Sequence, residues 1–139
     1  GGVPANQRYT YGFYYGAFGS TGFGQWAYNW GDKWDISGRG GDLAVMAWAT
    51  PYETIPSPWL EGQRVGLDDR RIIATYQKRF ANDAGALAAL QAVLKESGES
   101  RSENSGNDTV ANFFEALDDT SKLTRWRTTL LDRLVAGAP

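Results

Sequence analysis

Hydrophobic and polar positions follow different patterns in the two halves of the chain. Near the start, aromatic and small apolar residues occupy every second position: Tyr9, Tyr11, Phe13, Tyr15 and Ala17. Because a β-strand places alternate residues on one face, this pattern predicts a strand with Gly12 and Gly16 on its opposite face. A close approach by a neighbouring backbone would explain glycine at those two positions.

Two further segments of the first half are typical of strands. Trp26, Trp30 and Trp34 lie in a second alternating run, and the short apolar run at 43–48 suits a buried strand. Glycine-rich stretches separate these runs, so they predict a three-stranded antiparallel meander over about 7–49. The alternative is an irregular aromatic segment that lies over a surface. Three prolines then mark residues 50–58 as an extended connector.

The second half has a helical period. Apolar residues recur at spacings of three, four or seven: Ile73, Tyr76, Phe80, Leu87, Leu90 and Leu94. This stripe predicts a helix over about 69–96, with Asp68 as its N-cap and Gly85 as a weak point. Residues 97–108 contain no apolar side chain and predict a solvated loop.

Two shorter helices are predicted after this loop. The first, over about 109–118, carries Phe113 and Phe114, and the second, over about 121–135, carries Leu123, Trp126 and Leu130. Thr120 or Ser121 is expected to cap the last helix, and Gly137 to end it.

Composition divides the chain at the same place as the pattern. Residues 1–60 hold 14 of the 19 aromatic residues and 11 of the 17 glycines but few charges. A chain of 139 residues is the length of one domain. We therefore predict a single α+β domain over 1–139, with an aromatic strand–loop half at 1–60 and a helical half at 61–139.

The residues that the chain lacks exclude several classes of function. It has no cysteine and no histidine, so disulfide scaffolds, thiolate nucleophiles, histidine general bases and nearly every zinc site are excluded, and we expect no metal or cofactor. A net charge of −2 argues against nucleic-acid binding by bulk positive charge. No apolar run is long enough to cross a bilayer.

The aromatic cluster of the first half is the strongest functional signal. A small sheet cannot bury 14 aromatic side chains on one face, so some are expected to contact a partner, as Tyr and Trp commonly do at interfaces. The predicted interface residues are aromatic residues of the alternating runs: Tyr9, Tyr11, Phe13, Tyr15, Trp26, Trp30 and Trp34.

Carboxylates are the remaining groups for acid–base chemistry. Asp32 and Asp35 lie among tryptophans, the setting in which a glycoside hydrolase uses a carboxylate pair. Residues three apart on a strand point to opposite faces, however, and Asp beside Gly is typical of a turn. We therefore predict no catalytic residues and a chain that is not an enzyme, with a carboxylate-dependent hydrolase as an alternative.

Two weaker motifs have ordinary structural explanations. Gly19, Gly22 and Gly24 have a spacing found in phosphate-binding loops, but no Gly-Lys-Ser/Thr follows, so a flexible loop is favoured. The last helix carries four basic residues: Lys122, Arg125, Arg127 and Arg133. They would suit an anionic membrane surface or an acidic partner, but basic residues also favour the end of a helix, so a solvated face is preferred.

These observations favour a non-catalytic accessory subunit. We predict that it docks through its aromatic N-terminal half onto protein subunits of a larger assembly, including a membrane-bound, bioenergetic one, where it would be peripheral to the membrane. The alternative is a carbohydrate- or ring-binding module that uses exposed tryptophans. The start Gly1-Gly2-Val3-Pro4 lacks Met and is typical of a processed chain, which predicts an exported or organelle-lumen location.

Overall fold

A computed structural model of the chain describes residues 3–22, 47–49, 54–56, 58–101 and 116–137. The helices and strands of this part follow in chain order: α1 (Val3–Tyr9), a π-helical segment (Thr10–Tyr14), α2 (Tyr15–Ala17), β1 (Ala47–Ala49), β2 (Thr54–Pro56), α3 (Pro58–Arg79), α4 (Ala84–Glu99) and α5 (Ser121–Ala136). β1 and β2 form a short antiparallel pair in which Trp48 lies opposite Ile55. The described part is mostly helical, so the predicted α+β fold with an aromatic meander is wrong.

The segment that alternation predicted to be a strand is helical from Val3 to Ala17. Four consecutive residues of its π-helical segment, Thr10 to Phe13, are all buried. A helix that is buried on nearly every side has apolar residues at most positions, so its sequence shows no 3.6-residue stripe. The alternation of aromatic residues there did not mark one face of a strand.

The long helix predicted over 69–96 is two helices. α3 begins at Pro58, within the predicted connector, because proline suits the first turn of a helix. Asp68 lies inside α3 and is not its N-cap. The chain turns after Arg79, and the Asp83 carboxylate accepts a hydrogen bond from the Ala86 amide at 2.8 Å, which caps α4.

Beyond α4, Leu117 pairs with Arg101 in an isolated β-bridge. The predicted helix over 109–118 is therefore not helical at its described end, and residues 109–115 lie outside the described ranges. The helix predicted over 121–135 is confirmed as α5, and Gly137 is at its C-cap as predicted. Thr120 is at the N-cap position but its side chain makes no capping hydrogen bond, and the Ser121 amide donates instead to Asp119 Oδ1 at 2.9 Å. No helix within the described ranges is both long and apolar enough to span a membrane.

Glycines bring α1 and the π-helical segment against α3. A Cβ at Gly62 would lie 2.4 Å from the Pro4 carbonyl oxygen, and one at Gly66 would lie 2.8 Å from the Arg8 carbonyl oxygen. On the facing helix, a Cβ at Gly12 would lie 3.1 Å from the Gly66 carbonyl oxygen. The two backbones are therefore in direct contact, as in other helix pairs with glycines four residues apart.

The core lies where the N-terminal helices, α3, α4 and α5 meet. Trp126 is 1% exposed, and its ring centroid lies 5.2 Å from that of Phe13 and 6.3 Å from that of Tyr9. The indole Nε1 donates a hydrogen bond to Glu96 Oε2 at 2.9 Å, so the polar edge of this buried ring is satisfied. The Tyr9 hydroxyl donates to the Ser97 carbonyl oxygen at 2.7 Å, which ties the N-terminal helix to the end of α4.

Replacing Tyr9 by Phe is expected to lower the free energy of unfolding by about 1–3 kcal/mol, because the buried Ser97 carbonyl at the end of α4 loses its donor. Urea unfolding followed by circular dichroism measures this loss. Tyr14→Phe is the matched control, since the half-buried Tyr14 makes no hydroxyl hydrogen bond within the described ranges. Equal stabilities for the two variants would show that the Tyr9 hydrogen bond contributes nothing.

Candidate functional site

Among the described residues, Asp69 is the acid that is fully buried, and it lies between two arginines from different helices. Arg8 of α1 donates from Nε to Asp69 Oδ2 at 2.6 Å and from Nη2 to Oδ1 at 3.2 Å. Arg127 of α5 donates from Nη1 to Asp69 Oδ1 at 3.0 Å. Arg8 also contacts the Leu123 carbonyl oxygen at 3.4 Å, so this cluster joins α1, α3 and α5.

Electrostatics at Asp69 are a balance of two opposing effects. The side chain has no exposed surface, and this burial raises the pKa of its carboxyl group. The charges and hydrogen bonds of Arg8 and Arg127 lower the pKa, but burial outweighs them and the pKa lies above its ordinary value. Both carboxylate oxygens accept hydrogen bonds from guanidinium groups, so the cluster acts as a polar junction between helices.

A second feature is a row of aromatic rings that leads from the core to the surface. The Tyr14 ring centroid lies 5.5 Å from that of Tyr9 and 4.8 Å from that of Phe18. Tyr15 lies 6.1 Å from Tyr14, and Phe18 is 65% exposed. We call Tyr14, Tyr15 and Phe18 the aromatic surface. Rings held against one another are restricted before any partner binds, which reduces the entropy cost of binding.

The structure divides the predicted interface residues. Tyr9, Tyr11 and Phe13 are buried within the chain itself, and Tyr15 is half-buried. The other three predicted residues lie outside the described ranges: Trp26, Trp30 and Trp34. Of the described set, Tyr15 is therefore the residue that retains surface for a partner.

Tyr11 also shows how closely the N-terminal helix is packed. Its ring lies 5.6 Å from that of Tyr15 in an edge-to-face arrangement. Burial, together with the nearby Tyr15, raises the pKa of Tyr11 to about 12, so its phenol stays neutral at physiological pH.

The predicted candidates for acid–base chemistry, Asp32 and Asp35, lie outside the described ranges. Several acids of the described part have structural partners: Glu61 pairs with Arg64 at 2.8 Å, and Glu96 pairs with Arg125. Among the described residues, no group of three or more acids is placed to hold a metal ion.

The basic residues of α5 are paired with acids. Lys122 contacts Asp118 at 2.9 Å, and Arg133 lies 3.7 Å from Asp83. Arg125 contacts Glu96, and Arg127 contacts Asp69. These ion pairs neutralise the four basic residues of α5 that would otherwise suit an anionic membrane surface or an acidic partner.

Sequence reasoning missed both the Asp69 cluster and the exposed Phe18. Nothing in the sequence relates Arg8, Asp69 and Arg127, because their positions are far apart and only the packing of three helices brings them together. Phe18 carried a weak signal, since it immediately precedes the turn at Gly19 and closes the aromatic run of the first 18 residues.

Comparisons with known proteins show no family for this chain. No family model matches the chain, and neither a curated protein nor a solved structure matches it.

Proposed function

We propose that this protein is a non-catalytic accessory subunit that docks onto a larger protein assembly through its aromatic N-terminal half. The observation that carries the proposal is the aromatic surface, in which the exposed ring of Phe18 is held by Tyr14 against a helix anchored in the core. Exposed aromatic rings on a rigid support are typical of residues that dominate binding at interfaces.

The position of this surface along the chain supports the same proposal. Phe18 lies at the end of α2, and the tryptophans predicted to contact a partner follow it within 16 positions, at Trp26, Trp30 and Trp34. Tyr9 and Phe13 anchor the helix beneath it, since both are at most 1% exposed. In this proposal the helical body supports the aromatic half, which contacts the partner.

The role of the charged groups fits a module without catalysis. Asp69 holds three helices together, Asp83 caps α4, and Glu96 bonds the Trp126 indole. Each of these acids serves the fold, and the aromatic surface requires no acid–base group to bind a partner.

The test is the mass at which the chain migrates in a gentle extract of cells that produce it. We expect the wild-type protein to comigrate with a complex several times its own 15.3 kDa. Phe18→Asp should release it, because truncating such a residue costs about 2 kcal/mol or more, a roughly 30-fold loss of affinity.

Val135→Asp is the matched control. Val135 is 71% exposed, comparable to Phe18, but it lies at the end of α5. Both variants should keep the wild-type circular dichroism spectrum and melting temperature, while only Phe18→Asp leaves the complex. Migration of the wild-type protein as a free chain, with tryptophan fluorescence that shifts on adding oligosaccharides, would replace this proposal with the carbohydrate-binding alternative.

A further inference from the structure

The structure assigns a second binding site, for a small organic anion, to a groove between the end of α2 and α3. The groove has a volume of about 590 Å³, which is in the range of small-molecule sites. The residues that carry the argument come from both sides of it: Ser20, Thr21, Leu67, Arg70, Arg71 and Ile73. We call this the anion groove.

Its charge is the first argument. The lining includes two arginines, and no acid is among the described residues that line it, although the whole chain has a net charge of −2. Arg71 pairs with Asp68 at 2.9 Å outside the lining, whereas Arg70 has no carboxylate partner within the described part of the chain. A half-buried guanidinium without an acid favours an anion, which it can bind with two parallel hydrogen bonds.

The backbone holds Arg70 in position. Its Nη2 donates a hydrogen bond to the Ser20 carbonyl oxygen, and further N–H groups of the guanidinium remain for a ligand. Gly16 leaves room for this arrangement, because a Cβ there would lie 3.2 Å from Arg70 Nη1. Gly19 has a φ of +65°, and this left-handed turn brings Ser20 and Thr21 back towards α3.

Apolar side chains of the groove indicate the rest of the ligand. Leu67 is 37% exposed, and Ile73 forms the inner wall. A ligand with an oxyanion at Arg70 and a short hydrocarbon body against Leu67 and Ile73 would satisfy both kinds of surface. This inference does not depend on the docking role, since Phe18 does not line the groove.

Isothermal titration and melting temperature test the site with four probes: hexanoate, hexyl phosphate, hexanol and acetate. At least one of hexanoate and hexyl phosphate is expected to bind and raise the melting temperature. Tighter binding of hexanoate would indicate a carboxylate ligand, and tighter binding of hexyl phosphate would indicate a phosphate ligand. Hexanol and acetate, which each lack one half of the ligand, should bind at least about tenfold more weakly.

Arg70→Gln should weaken hexanoate or hexyl phosphate binding about tenfold or more, whereas Arg64→Gln, on the exposed face of the same helix, should leave it unchanged. On the wild-type protein, NMR shifts of the amides of Gly16 and Gly19, which line the groove, locate the ligand without any substitution. The inference would be overturned if hexanol bound as tightly as the better anion, if Arg70→Gln bound that anion as tightly as the wild-type protein does, or if neither hexanoate nor hexyl phosphate bound.

Discussion

Replacing Arg8 by Met is expected to lower the free energy of unfolding by about 3–5 kcal/mol at pH 7, because it leaves a buried carboxylate without its main partner. Asp69 has no exposed surface, and Arg8 contacts both of its oxygens. Arg127 Nη1 would remain as the single partner, 3.0 Å from Asp69 Oδ1, and the Arg127 side chain is one-third exposed. Urea unfolding followed by circular dichroism measures the loss.

The loss should depend on pH in a defined direction. Burial already holds the pKa of Asp69 above its ordinary value, and removing Arg8 removes an effect that lowers it, so the pKa rises further. The folded state then binds a proton more tightly than the unfolded state, and stability falls as pH rises through the window above the ordinary Asp pKa. The deficit of Arg8→Met is therefore largest at neutral pH and smaller at about pH 4.

A second substitution tests the cause. In the Arg8→Met background, Asp69→Asn removes the buried charge and should recover at least half of the lost stability. Arg64→Met is the control, since the exposed pair of Arg64 and Glu61 should contribute nothing measurable. A deficit that does not change with pH, or that Asp69→Asn deepens, would contradict the buried-charge explanation.

Gly62→Ala is expected to destabilise the protein by about 3 kcal/mol, at the upper end of the cost of overpacking. The added Cβ would lie 2.4 Å from the Pro4 carbonyl oxygen, 2.8 Å from Gln7 Cβ and 2.9 Å from Pro4 Cα. Two of these three atoms belong to the backbone, so no side-chain rotation relieves the clash and α1 must move away from α3. Thermal and urea unfolding both measure this effect.

Gly85→Ala is the matched control within α4. A Cβ at Gly85 would meet its nearest atom, Asp83 Oδ1, at 3.4 Å, which is an ordinary contact. Because alanine favours helix over glycine, this variant should be unchanged or more stable by about 0.5–1 kcal/mol. If the two variants were equally stable, the close contact between α1 and α3 would not form in solution.

Prediction from sequence succeeded where an element buries one face. α5 shows the pattern directly, since Leu123, Trp126 and Leu130 lie on one buried stripe and polar residues occupy most of the other positions. The second half was predicted to be helical for the same reason. That prediction gave one continuous helix with a weak point at Gly85, whereas the chain turns at residues 80–83. Asp83 was the missed signal, because an aspartate before a helical run is a common N-cap.

Prediction failed where an element is buried on several sides. Tyr9 and Phe13 of the N-terminal helix pack against Trp126 of α5 on one side, while Gly12 contacts α3 on another. Local sequence therefore contains no polar face from which the helical period could be recognised. The same burial changes the predicted site, since Tyr9 and Phe13 serve the core, whereas Phe18, which the prediction omitted, is exposed.

The sequence by itself determined the available chemistry, a helical second half and an aromatic first half. Absence of histidine and cysteine is a property of composition, and a one-sided helix shows its period in adjacent turns. Only the tertiary structure decided which aromatic rings are core and which are surface, and that Arg8, Asp69 and Arg127 meet. Those contacts join residues up to 117 positions apart, from Tyr9 to Trp126, and depend on glycines that let two backbones touch. Local spacing does not encode such contacts, because they arise when separate helices pack together.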